Sequence, residues 1–220
     1  MARPLLKVVV LVSGNGSNLQ ALIDYQRRED CQYKIVKVVA NKPDAYGLDR
    51  AKQHQIPTAL IDHTRYKNRE LFEQALINEI DEEPPGLVVL AGFMRVLTPL
   101  FTRHYLGRMI NIHPSLLPKY PGLNTHQRAL DAGDAEHGLS IHFVTAELDA
   151  GPVILQASLK IQPNLNAPTL QQQIHQLEHQ TYPIAVQLFA QGDIKLNNNQ
   201  AWFQNEKLNT PLQLSHLHND

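Results

Sequence analysis

The stretch Lys7-Val-Val-Val-Leu-Val-Ser13-Gly-Asn-Gly-Ser-Asn18 decides the fold class of this chain. Its first half is an unbroken run of valine and leucine that ends at Ser-Gly, which is typical of a strand buried on both faces of a parallel sheet. A helix is predicted to follow, because Asn18 can cap it and apolar residues recur from Leu19 at the spacing of an amphipathic helix. A buried strand, a glycine turn and a helix in this order predict an α/β fold.

The alternation of apolar strands and helical patterns continues along the chain. Further strands are predicted at residues 35–40, 58–61, 87–91 and 109–112, and helices at residues 47–54 and from the cap Asn68 to the Pro84-Pro85 pair. Beyond residue 112 we predict an ordered, proline-rich loop at 113–125, strands at 139–144 and 153–161, a long helix at 169–190 bent at Pro183, and a hairpin of 194–196 with 201–203. The predicted fold class is α/β: a Rossmann-like, mostly parallel twisted sheet of about seven strands, with helices on both faces.

Length and composition limit the domains and the classes of partner. The 220 residues predict one domain at residues 1–208 and a polar tail at 209–220. The formal net charge of -1 argues against nucleic acid as the main partner, because polyanion-binding proteins carry a basic excess. One cysteine, Cys31, forms no intrachain disulfide, and no apolar run reaches the length of a membrane span. We therefore expect a cytoplasmic protein with no membrane partner, whose eleven histidines invite a metal or an acid–base interpretation.

The loop of residues 13–18 is a candidate phosphate site. Its two glycines allow close approach of the backbone to an anion at the start of a helix, where N–H groups and the helix dipole favour negative charge. It is not a dinucleotide fingerprint, because Leu19 stands where a third glycine belongs, and no Gly-Lys-Ser/Thr follows as in a Walker loop. A tight turn without a ligand remains the alternative.

The segment Asn111-Ile-His113-Pro-Ser-Leu-Leu-Pro118 is a candidate catalytic motif. Asn111 and His113 alternate at the carboxyl end of a predicted strand, so both side chains point the same way at the edge where open α/β sheets bind ligands. An amide donor and an imidazole can stabilise an oxyanion and transfer a proton. The alternative is a core histidine bonded to a backbone carbonyl. Asp149, in a predicted turn before Gly151, is either a turn former or a partner for that imidazole.

With these motifs, the chain resembles the phosphoribosylglycinamide formyltransferases of purine biosynthesis. The resemblance runs from Val8 to about Leu208 and includes the 13–18 loop, Gly92-Phe-Met-Arg95, the 111–118 motif, His137-Gly138, His142-Phe-Val144 and Asp149 with Gly151-Pro152. The 111–118 motif is shared with other enzymes that use 10-formyltetrahydrofolate, whereas the 13–18 loop points to this family in particular. Leu139 departs from the small polar residue expected there.

The resemblance implies that the amine of glycinamide ribonucleotide attacks the formyl carbon of 10-formyltetrahydrofolate, the co-substrate, without a metal. It implies that Asn111 and His113 polarise the formyl oxygen, that His113 donates a proton to the folate nitrogen, and that Asp149 raises the pKa of His113 and orients a water. The implied ribonucleotide-binding residues are Asn15, Gly16, Ser17, Asn18, His175 and Glu178. The implied folate-binding residues are Arg69, Met94, Arg95, Val96, Leu97, Asn111, Thr145, Ala146, Glu147, Leu148 and Asp149. Ser140 and His142 would support the pocket, in a monomer or homodimer.

Three other interpretations stay open. The sequence His175-Gln-Leu-Glu-His179 matches an inverted zinc-protease motif, which also requires a third ligand. Methionyl-tRNA formyltransferases share the chemistry, but an additional RNA-binding domain and a basic surface would be expected of them. A noncatalytic folate- or nucleotide-binding protein would have no reason to combine Asn111, His113 and Asp149.

Overall fold

The structure, a computed structural model, describes residues 4–217. The chain forms two compact units, Met1–Asn111 and Ile112–Asp220. The division into a domain at 1–208 and a tail at 209–220 stays a prediction, and residues 218–220 of that tail lie outside the described part.

The first unit alternates strands with helices. In chain order its elements are β1 (Leu6–Val12), α1 (Ser17–Gln26), β2 (Tyr33–Ala40), α2 (Gly47–Gln53), β3 (Thr58–Leu60), a 3₁₀ turn (His63–Arg65), α3 (Arg69–Asp81), β4 (Leu87–Leu90), α4 (Pro99–His104) and the start of β5 (Met109–His113). β1 pairs in parallel with β2 on one side and β4 on the other, with Val10 opposite Val38 and Val89. The five residues of β1 from Val8 to Val12 are fully buried, which confirms the strand predicted from the valine run.

The second unit combines a long helix with antiparallel strands. Its elements after β5 are α5 (Thr125–Asp131), β6 (Glu136–Phe143), β7 (Val153–Lys160), α6 (Ala167–Gln191), β8 (Ile194–Asn197), β9 (Gln200–Phe203), β10 (Glu206–Lys207), β11 (Leu212–Gln213) and α7 (Leu214–Leu217). β6 and β7 pair antiparallel, and β8 and β9 form the predicted hairpin, to which β10 adds a third strand.

The sheet confirms the predicted fold class. Within residues 4–217, eight strands follow the order β11-β7-β6-β5-β4-β1-β2-β3. β1 with β2 and β4, β2 with β3, β4 with β5, and β11 with β7 are parallel pairs. The eighth strand, β11, comes from the segment predicted as a polar tail: Leu212 lies opposite Leu155 of β7. Over the same described residues, no helix combines the length and apolar character that crossing a membrane requires.

The structure confirms one of the two predicted helix caps and contradicts the other. Asn68 caps α3 as predicted, because its Oδ1 accepts the N–H of Leu71 at 2.9 Å. The prediction that Asn18 caps α1 was wrong: the N-cap is Gly16, and Asn18 lies inside the first turn. Gly16 has a left-handed backbone, with φ of 72°, and a Cβ there would lie 2.8 Å from the Cα of Gly47. A glycine is therefore required where the chain turns into the helix.

Candidate active site

Asn111 and His113 occupy the carboxyl end of β5, as the sequence predicted. They are two residues apart in a strand, so their side chains lie on the same side of the sheet. Asn111 is half-buried, whereas His113 is 5% exposed. An amide and an imidazole therefore share one face at the end of a strand.

Both ring nitrogens of His113 face oxygen atoms. Nε2 lies 2.9 Å from the carbonyl oxygen of Tyr120, which accepts a hydrogen bond and cannot donate one. Nδ1 lies 3.4 Å from Oδ2 of Asp149, and the two side chains are only 7% and 8% exposed. A neutral imidazole carries one N–H, so one of these oxygens would face a lone pair. A neutral ring can donate to one of these oxygens, and a protonated ring can donate to both.

Asp149 is held between two histidines. Its Oδ2 also accepts the N–H of Gly122 at 2.8 Å, and its Oδ1 lies 3.8 Å from Nε2 of His142. His142 donates from Nδ1 to the carbonyl of Phe143 at 2.9 Å, and burial lowers the pKa of His142. His142 is therefore favoured as a neutral ring.

Ser140 supports the loop that follows β5. Its hydroxyl donates to the carbonyl of Ser115 at 2.7 Å and accepts the N–H of Leu117 at 2.9 Å. Gln156 donates to the same hydroxyl oxygen at 2.9 Å. These bonds tie the segment after His113 to β6 and β7. The neighbouring Leu139, the one departure from the family pattern, is fully buried.

A histidine pair that the sequence did not reveal lies beside this loop. Nδ1 of His126 on α5 is 3.0 Å from Nε2 of His137 on β6. Burial, followed by the charges of His137, His175 and His113, lowers the pKa of His126 to about 4, and burial also lowers the pKa of His137. Both rings are therefore neutral near pH 7. No local spacing signals such a pair, because eleven residues separate its members.

The candidate phosphate loop in the first unit is held from one side by α2. The carbonyl of Gly14 accepts the N–H of Gly47 at 3.0 Å, and the carbonyl of Asn15 accepts Nε–H of Arg50 at 2.8 Å. Arg50 also donates to Oδ1 of Asn15 at 3.0 Å. The loop thus has a fixed shape, with two carbonyls occupied, at the start of the ten-residue helix α1.

The remaining predicted site residues differ in exposure. Arg69, Met94, Val96, Ala146, Glu147 and Leu148 are exposed, Ser17, Arg95 and Thr145 are half-buried, and Asn18 and Leu97 are buried. His175 and Glu178 lie three residues apart on α6 and therefore share a face of that helix, with Glu178 only 4% exposed. In the second unit the structure brings together His113, His142 and Asp149, and Ser140 bonds to the loop that follows His113.

The chain is similar to proteins of one known family. The formyl transferase family matches residues 6–186 of the chain. The chain belongs to this family. A phosphoribosylglycinamide formyltransferase of Escherichia coli is 48% identical over 203 residues, which cover 92% of this chain and 96% of that protein. A phosphoribosylglycinamide formyltransferase of Haemophilus influenzae is 44% identical over 202 residues, which cover 92% of this chain and 95% of that protein.

A solved formyl transferase structure has the same fold. The phosphoribosylglycinamide formyltransferase of Coxiella burnetii superposes with a TM-score of 0.91 and 50% identity, covering 96% of this chain and 99% of that one. Because the chain belongs to this family, we do not interpret His175-Gln-Leu-Glu-His179 as a zinc-hydrolase motif. Among residues 4–217, no group of three histidine, cysteine or acidic side chains is arranged to hold a metal ion.

Proposed function

We propose that this formyl transferase moves the formyl group of 10-formyltetrahydrofolate to the primary amine of glycinamide ribonucleotide, releasing tetrahydrofolate. The names and the 44–48% identity of its bacterial relatives support this reaction. The observation that carries the proposal is the buried contact between His113 and Asp149 at the end of β5, 3.4 Å apart. It supplies a proton donor and a counter-charge, which formyl transfer to an amine requires.

The proposed chemistry begins with attack of the neutral amine on the formyl carbon. A carbon–nitrogen bond forms and the formyl oxygen becomes an oxyanion, which the amide of Asn111 and the imidazolium of His113 stabilise as donors. The bond from the formyl carbon to the folate nitrogen then breaks, and that nitrogen receives the proton of His113. The attacking nitrogen passes its extra proton through a water to the now neutral His113, which restores the imidazolium, so atoms and charge balance. An amine nucleophile needs no metal or covalent enzyme intermediate in this scheme.

Asp149 has two proposed roles. Its carboxylate stabilises the imidazolium of His113, and it orients the water that takes the proton from the amine. Its burial supports the first role, because a charge pair removed from water is screened less than one at the surface. The bond from Gly122 to Oδ2 fixes the carboxylate in this orientation.

The substrate-binding residues carried over from the family are part of the proposal. We propose that the ribonucleotide phosphate binds at Asn15, Gly16, Ser17 and Asn18 and that His175 and Glu178 bind the other end of this substrate. The folate would contact Arg69, residues 94–97, Asn111 and residues 145–149, with Ser140 and His142 in support. The fixed shape of the 13–18 loop and its place before α1 support the phosphate site.

We also propose that the protein acts in the cytoplasm, as a monomer or homodimer, with small molecules rather than nucleic acid or membrane as partners. The single cysteine is buried, which agrees with a reducing compartment, and the net charge of -1 offers no basic excess for a polyanion. Cell fractionation and sedimentation of the purified protein test these two statements.

The test of the reaction is a deformylation assay. The wild-type protein, mixed with 10-formyl-5,8-dideazafolate and glycinamide ribonucleotide, should deformylate the folate only when the ribonucleotide is present. Replacing Asn111 or His113 with alanine, or Asp149 with asparagine, should lower kcat by about a hundredfold or more. His216→Ala is the matched control, because this exposed histidine of α7 is outside the proposed site. Near-wild-type turnover of Asn111→Ala and His113→Ala would refute the assignment.

A further inference from the structure

Ser13 lies where three neighbouring strands of the first unit end, and the proposed mechanism does not use it. β1, β2 and β4 are parallel neighbours, so their carboxyl ends lie at one edge of the sheet. Ser13 follows the last residue of β1, and Asn41 follows the last residue of β2. Ser13 is 5% exposed and Asn41 is fully buried. Two buried polar residues at this edge require an explanation.

Ser13 makes three hydrogen bonds that join separate segments. Its main-chain N–H donates to the carbonyl of Gly92 at 3.1 Å, and its Oγ accepts the N–H of Met94 at 2.8 Å. The hydroxyl donates to Oδ1 of Asn41 at 2.6 Å. Asn41 is itself fixed, because its carbonyl accepts Nδ1–H of His63 at 2.7 Å. One side chain thus uses both its donor and its acceptor to attach the segment after β4 to the segments after β1 and β2.

We propose that the hydroxyl of Ser13 is a positioning residue for both substrates. Ser13 is the first residue of the 13–18 loop, and it holds the backbone of Met94, the first residue of the 94–97 segment. The inference rests on the proposed function, because it takes the ribonucleotide phosphate site and the folate segment from there. Neither substrate needs to touch Ser13 for its side chain to set the relative position of the two binding segments.

The physical consequence of removing the hydroxyl follows from these bonds. In Ser13→Ala, the Met94 N–H loses its acceptor and Oδ1 of Asn41 loses its donor. Gly92, two residues before Met94, has a left-handed backbone with φ of 75°, and an added Cβ there would meet nothing within 4 Å, so this segment has room to move. We expect KM for each substrate to rise about five- to tenfold, the effect of one lost hydrogen bond, with kcat changing less than about twofold.

The experiment compares Ser13→Ala, Asn41→Ala and the double variant. Asn41→Ala leaves the Ser13 hydroxyl without its acceptor and free to rotate away from Met94, so the double variant should be no worse than either single variant. Tyr33→Phe is the matched control: it also removes one buried hydroxyl of the first unit, which donates to the carbonyl of Leu22 at 2.9 Å at the opposite end of β2. Hydrogen exchange at the Met94 amide, measured without substrates, gives a readout independent of activity and should be faster in Ser13→Ala, Asn41→Ala and the double variant but not in Tyr33→Phe.

The outcomes separate this inference from the proposed function. Raised KM values for both substrates, faster exchange at Met94 and a nonadditive double variant support it. A change in KM for one substrate alone, additive effects, or unchanged exchange at Met94 overturns it. If Asn41→Ala does not fold, Ser13→Ala and the exchange rate decide alone. Failure of the wild-type protein to transfer a formyl group would instead refute the proposed function, while the exchange measurement would still report on the bonds of Ser13.

Discussion

The pair of His126 and His137 makes the stability of the second unit sensitive to acid. Folded His126 stays neutral down to pH of about 4, because its pKa is lowered by burial and by the histidines at 137, 175 and 113. An unfolded histidine takes up a proton near its ordinary pKa of 6.5. Between these values the unfolded chain binds more protons, so stability falls as pH falls from about 6.5 to 4. His137 acts in the same direction, although Asp134 beside it opposes this effect.

The size of the effect follows from the two pKa values of His126. At pH 5, a shift from 6.5 to about 4 corresponds to a loss of about 2 kcal/mol relative to pH 7.5. The ring is only partly buried, so solvent screening reduces this contribution to about 1 kcal/mol. His126→Gln keeps groups that can hydrogen-bond to His137 but has nothing to protonate. We therefore expect its free energy of unfolding to decline by about 1 kcal/mol less than that of the wild type between pH 7.5 and pH 5.

Urea unfolding at the two pH values measures this difference. His216→Gln, at an exposed position of α7, serves as the control and should decline with pH as the wild type does. If wild type and His126→Gln lose the same free energy of unfolding, to within about 0.3 kcal/mol, the low pKa inferred for His126 is wrong.

Two further predictions concern the 13–18 loop. Gly16→Val should raise KM for glycinamide ribonucleotide by at least tenfold, because a side chain there meets Gly47 and a left-handed backbone is strained for valine; an unchanged KM in steady-state assays would remove the loop from the phosphate site. Arg50→Met should raise the same KM about fivefold with little effect on KM for the folate, because two hydrogen bonds to Asn15 are lost. Lys52→Met removes a charge from the exposed side of the same helix and is its control; an equal effect of both variants would indicate a general charge effect instead.

The strands of the first unit were predictable because each buried strand appears in the sequence as its own apolar run. The apolar runs at residues 7–12 and 87–91 correspond to β1 and β4, and a buried parallel strand needs such a run whatever its neighbours are. α4 was missed because six residues are too few to show a helical period, although Pro99 stands in its first turn. α5 was missed as well: the predicted proline-rich loop ends at Thr125, where α5 begins, and no element was predicted between there and residue 139. β11 has two residues, and only its pairing with β7 makes it a strand.

The candidate site was predictable to the extent that its residues share a strand. Asn111 and His113 follow from alternation along β5, which the sequence displays. The proximity of Asp149 to His113 could not be predicted in this way. Thirty-six residues separate the two, and no local sequence pattern shows that they meet in the fold. On local evidence Asp149 is a turn former, and the structure gives it a turn backbone as well as a buried carboxylate. The turn-former interpretation therefore describes the backbone of Asp149, and the interpretation as a partner of His113 describes its side chain.

The backbone of Asp149 explains how a turn residue becomes a fixed carboxylate. Its φ of 51° is in the left-handed region, which costs about 1 kcal/mol or more for a residue other than glycine and persists only where the surroundings enforce it. They do so here: Phe143 N–H donates to the carbonyl of Pro152 at 3.0 Å, and any side chain at Gly151 would collide with the carbonyl of Phe143. The segment 149–152 is thus held against the end of β6, and these protein contacts alone aim its carboxylate at His113. Such preorganisation is what a counter-charge needs, because a carboxylate that had to move into place would lose part of its stabilising effect.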